Sequence, residues 1–110
     1  MPGSYPAIYN RRPSLRGDTL RGFSLEARIG GEPASIVSAR SQLRTPAGRL
    51  IHTYELYVSG AQVTVPDVPA EVTRNWPVAT LVYDIEVTLA DERVVTWVSG
   101  AQPILADRTY

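Results

Sequence analysis

Apolar and polar residues alternate with a period of two along most of the chain. The longest run is residues 79–89, where Leu81, Tyr83, Ile85, Val87 and Leu89 share one side and Val82, Asp84, Glu86 and Thr88 the other. Alternation of this kind marks a strand with one face in a core and one in water. Residues 20–29 show it as well: Phe23, Leu25, Ala27 and Ile29 oppose Ser24, Glu26 and Arg28, and Gly30-Gly31-Glu32-Pro33 then supplies a turn. A strand over 36–44 sets Ala39, Ser41 and Leu43 against Arg40, Gln42 and Arg44. Thr45-Pro46-Ala47-Gly48 turns it back into a strand over 49–58, with Leu50, Tyr54, Leu56 and Val58 as its inward set. A short strand over 62–65 follows Ser59-Gly60, the 79–89 strand returns through Ala90-Asp91-Glu92-Arg93 as a strand over 94–99, and a last short strand surrounds Ile104.

Residues 66–77 lack alternation. Asp67-Val68-Pro69-Ala70-Glu71 can start one helical turn, but a crossover connection with Trp76 plugging one end of a sandwich is the favoured reading. About seven strands this short and this regularly spaced are the pattern of an antiparallel β-sandwich or small barrel, and the sandwich is the expected architecture. Residues 1–14, rich in proline and tyrosine, read as an extended N-terminal arm, residues 15–106 as the sandwich and 107–110 as a polar tail. Val58-Ser59-Gly60-Ala61-Gln62 recurs as Val98-Ser99-Gly100-Ala101-Gln102, which reads as a shared way of ending a strand.

Composition narrows the chemistry. The 110 residues are enough for one domain. Cysteine is absent, which removes disulfides and thiolate chemistry. Eleven basic residues, all arginine, balance eleven acidic ones, so no net field recruits nucleic acid or an anionic membrane. The N-terminus carries no signal-peptide pattern, and the chain is expected to be soluble and made inside the cell.

No catalytic constellation emerges. The one histidine, His52, sits mid-strand with no ligand or base partner nearby in sequence, and is expected to be an exposed or half-buried strand residue. Asp84 and Glu86 share a face but should be solvated, and Arg16-Gly17-Asp18 is read as a turn. The chain is therefore expected not to be an enzyme, with no cofactor and no metal site. Trp76, Trp97 and the tyrosines leave a carbohydrate-binding or adhesion module open as an alternative.

Arg16-Gly17-Asp18-Thr19, then Gly31-Glu32-Pro33-Ala34 and the Ile36–Ala39 strand, resemble the opening of small virion proteins of tailed bacteriophages. Their second half is matched by Tyr83-Asp84-Ile85-Glu86-Val87-Thr88, Val94-Val95-Thr96 and Gly100. The frame is similar to the immunoglobulin-like N-terminal domain of phage baseplate upper proteins and related fibre-attachment modules. It departs from them at Asp91-Glu92, where they have Asp-Gly, and in lacking their fibre region. The resemblance implies an all-β, immunoglobulin-like sandwich serving as a structural subunit in a phage tail or baseplate, located in the virion. It implies partners among other virion proteins, in multiple symmetric copies, without nucleic acid or membrane. The expected contact residues are Tyr5, Ile8, Tyr9, Arg11 and Arg12 on the arm, and Arg40 and Arg44 on a sheet face.

Overall fold

Two β-sheets pack face to face in the computed structural model, which describes residues 7–29 and 31–106. The strands are β1 (Ala7–Ile8), β2 (Ser14–Leu15), β3 (Phe23–Glu26), β4 (Arg28–Ile29), β5 (Glu32–Pro33), β6 (Ile36–Arg44), β7 (Leu50–Tyr54), β8 (Tyr57–Ser59), β9 (Gln62–Val65), β10 (Thr80–Leu89) and β11 (Val94–Leu105). One helical turn, α1 (Ala70–Thr73), interrupts them. The larger sheet has the order β1-β11-β10-β6-β7, with β2 also on β11; the smaller runs β3-β9-β8, and β4 and β5 form a separate ribbon. The fold is an all-β, immunoglobulin-like sandwich.

The uninterrupted alternation of β10 makes it the spine of the core. Leu81, Tyr83, Ile85, Val87 and Leu89 are all buried, facing Val63 and Val65 of the smaller sheet's central strand in one continuous apolar cluster. Fully burying a side chain such as Leu43, Leu81 or Ile85 contributes about 1.5–3 kcal/mol. Trp76 is buried at 4% exposure, at the end of the 66–77 connection, where α1 forms the helical turn that was the less favoured reading.

Three bulges shift the expected faces. The register passes from Ile85 opposite Val98 to Glu86 opposite Thr96, so Trp97 is an extra residue and both Trp97 and Val98 are buried. Ile36 opposes Leu89 while Ser38 opposes Thr88, which leaves Val37 exposed. His52 opposes Leu43 while Leu50 opposes Arg44, so Ile51 is extra and Leu50, expected inside, is 47% exposed. The 49–58 strand is also two strands: β7 stays with the larger sheet, and after Glu55-Leu56 the chain joins the smaller one as β8.

Residues 7–15 belong to the sandwich. β1 and β2 run parallel to β11, with Ala7 opposite Val98 and Ile104 opposite Ser14. Tyr9 N–H donates to Ser99 O and Arg11 N–H to Ala101 O, both at 2.9 Å. Ala101 N–H donates to Asn10 Oδ1 (3.0 Å), and Gln102, wholly buried, donates through Nε2 to Arg12 O (2.9 Å). An arm boundary at residue 14 therefore cuts through a hydrogen-bonded strand. Nor do the two Val-Ser-Gly-Ala-Gln segments end strands alike. The first turns at Gly60 (φ 60°), whereas the second runs straight through β11.

Candidate functional site: the free edge of β7

β7 ends the larger sheet, so one side of its backbone has no strand partner. It is five residues long, against two for β1 at the opposite edge and three and four for β8 and β3 at the edges of the smaller sheet. Among the described residues it is the longest free edge, and free edges template strand addition. The strand's direction is set by the Thr45–Gly48 turn, where Gly48 N–H donates to Thr45 O (2.8 Å) at φ 101°.

The 66–77 connection runs beside this edge. Two shallow recesses separate them, one of about 230 Å³ between His52, Thr53, Glu55 and residues 66–69. The other, about 290 Å³, lies between Arg49, Leu50, Ile51 and a wall that includes Val72, Asn75 and Trp76. The connection is held in place by Leu20 and Val68, which exchange backbone hydrogen bonds (2.9 and 2.8 Å), and by Asp67 Oδ1, which accepts from Gly22 N–H (2.6 Å). At its far end Thr73 Oγ1 donates to Asp18 O (2.7 Å) and accepts from Gly17 N–H (3.2 Å), which ties the Arg16-Gly17-Asp18 turn to α1.

His52 stands at the middle of the edge. Its ring meets Tyr54 edge-on at 4.9 Å and Trp76 at 5.5 Å, and partial burial lowers its pKa below 6.5. Arg49 and Glu55, at the two ends, are exposed, and neither side chain enters an ion pair among the described residues. Also among the described residues, no group of three or more His, Asp or Glu side chains comes close enough to hold a metal ion. The chemistry available is backbone hydrogen bonding, apolar contact and two separated charges of opposite sign. Sequence reasoning took His52 only as a strand histidine and passed over Arg49 and Glu55, because only the strand order makes them flank a sheet edge.

The residues expected to make contacts lie elsewhere and do not form one site. Tyr5 is outside the described residues. Ile8 and Tyr9 are exposed beside β11, at 69% and 42%. Arg12 is exposed as well, whereas Arg11 is half-buried, with its guanidinium 4.6 Å over the Phe23 ring and donating to Arg21 O. Arg40 and Arg44 project from the outer face of β6, three strand spacings from β1, or roughly 14 Å. Arg40 pairs with Glu86 at 3.1 Å, and Arg44 is bonded to Gln42 Oε1 and Gly48 O. Trp76 and Trp97, at 4% and 7% exposure, are core residues and offer no stacking platform for a sugar.

No family model and no curated protein matches the chain. Among solved structures it is similar to CopC from Methylosinus trichosporium OB3b, with a TM-score of 0.54, 10% identity, and coverage of 97% of this chain and 90% of that one. At that identity the likeness establishes the fold alone. The expectation of a tailed-phage structural subunit is corrected by this result, since the likeness found is to CopC and not to a virion protein.

Proposed function

We propose that the protein is a binding module that takes up an extended polypeptide strand along β7. The observation that supports this reading is the five-residue free edge flanked by recesses on either side of His52. In strand addition, main-chain hydrogen bonds supply affinity and alternate side chains of the incoming segment enter the adjoining recesses. The Val72 and Trp76 wall suits apolar side chains, and the exposed Arg49 and Glu55 select for charge at the two ends.

The test is a displayed library of extended heptapeptides panned against the full chain, followed by amide hydrogen exchange with each selected peptide. Binders should slow exchange in residues 50–54 and leave β8, the short edge of the other sheet, unchanged. Binders that protect β8 or no strand at all would refute strand addition at β7.

A further inference from the structure

We infer that the segment taken up along β7 carries a lysine or arginine, whose cationic head enters the recess lined by His52, Glu55 and Asp67. This rests on the strand-addition reading and names the chemistry of its partner. Glu55 and Asp67 are the acidic residues lining that recess, and no arginine lines it. Glu55 is exposed and enters no ion pair among the described residues. Asp67 is partly engaged. Its Oδ1 accepts from Gly22 N–H, and its Oδ2 lies 3.8 Å from Nε of Arg21, whose side chain is 85% exposed. A cation so far away and so exposed offsets little of the carboxylate charge. His52 offsets little of it at pH 7, because partial burial lowers its pKa below 6.5.

The backbone of the wall also favours a cation over an anion. Pro66 and Pro69 have no N–H to offer, and Val68 gives its own to Leu20 O at 2.8 Å. An anionic side chain would meet two carboxylates and few free donors. The stem of a lysine or arginine can instead lie along the two proline rings while its head meets the carboxylates. The second recess is balanced, because Arg49 and Glu71 both line it. The preference for a cation therefore belongs to the Glu55 end of the edge. With eleven charges of each sign in the chain, it arises in this recess and not from the field of the whole protein.

Sequencing the library heptapeptides that slow exchange in residues 50–54 should show lysine and arginine enriched over aspartate and glutamate. For one such peptide, fluorescence anisotropy should show binding to the full chain weakened by about two- to fivefold in each of E55Q and D67N. D67N keeps an oxygen for the Gly22 N–H, and circular dichroism confirms that all variants are folded. E32Q makes the same change of net charge on β5 and should bind like the native chain. Selection repeated against E55R should lose the preference for basic residues. Peptides bound along β7 without basic enrichment, equal affinity in E55Q, D67N and E32Q, or an unchanged preference in E55R would each overturn the cationic partner and leave strand addition standing. A library with no peptide that protects β7 removes strand addition, and this inference with it.

Discussion

A β-carbon on Gly100 would lie 1.9 Å from the carbonyl oxygen of Tyr9 and 3.1 Å from the Tyr83 ring. That carbonyl also accepts the Tyr83 hydroxyl (2.6 Å), so the strand carrying it cannot withdraw without breaking a part-buried bond. Gly100→Ala should destabilise the protein by about 1–3 kcal/mol in urea unfolding, the range for overpacking, and toward its upper end because the obstacle is backbone. A midpoint equal to that of the native chain would show that the Tyr9 segment does not dock there. Gly60, at the same place in the other Val-Ser-Gly-Ala-Gln segment, has open space around it and needs glycine for its positive φ. Identical letters thus serve two physical needs, close approach and a left-handed turn, which the sequence alone could not separate. Glu92 is a related case. It holds φ 73° at the Asp91-Glu92-Arg93 turn, where glycine would sit without the Cβ penalty.

At the scale of elements, the arm is the largest revision. Proline and exposed tyrosine made residues 1–14 look like a projecting segment, yet most of 7–15 is hydrogen-bonded to β11, with Tyr9 edge-on to Phe23 at 5.2 Å. Deleting residues 1–13 removes the bonds from Tyr9, Asn10, Arg11 and Arg12 to β11 and from Tyr83 to Tyr9. At about 0.5–1.5 kcal/mol each, the loss of these five should lower stability by about 2.5–7.5 kcal/mol in chemical denaturation. A truncated chain as stable as the native one would show that the segment adds nothing to the fold. The inward face of β10 was legible because its alternation has no break on that strand. The flipped faces around Val37, Ile51 and Trp97 were not, because one inserted residue changes every side that follows and leaves no mark in composition. The β6–β7 hairpin was legible from its turn. That β7 ends a sheet was not, since strand order depends on pairings between residues far apart in the chain.

Across the whole molecule, two tyrosines, from β7 and β10 on either side of β6, set the alkaline limit of stability. Burial pushes Tyr54 and Tyr83 up from 10.0 to about 12, with the Arg11 cation pulling the other way. A raised acid releases its proton more readily in the unfolded chain, so stability should be full below pH 10 and fall as pH rises from there to about 12. His52, lowered by burial, acts at the other end: the unfolded chain binds its proton first, and stability declines as pH falls below 6.5. Urea unfolding across this span should trace a plateau with both shoulders, and Tyr54→Phe should soften the alkaline one. A level profile past pH 10 would mean that the two phenols ionise as freely folded as unfolded.

The parallel pairing of β1 and β2 with β11 also fixes an order of events during synthesis. Asn10 is made 91 residues before Ala101, the β11 residue to which it bonds. No partial chain can close this sandwich. Translation therefore delivers an open sheet whose β11 side is completed only after nearly every described residue has emerged, and until then the chain depends on whatever shields its apolar face.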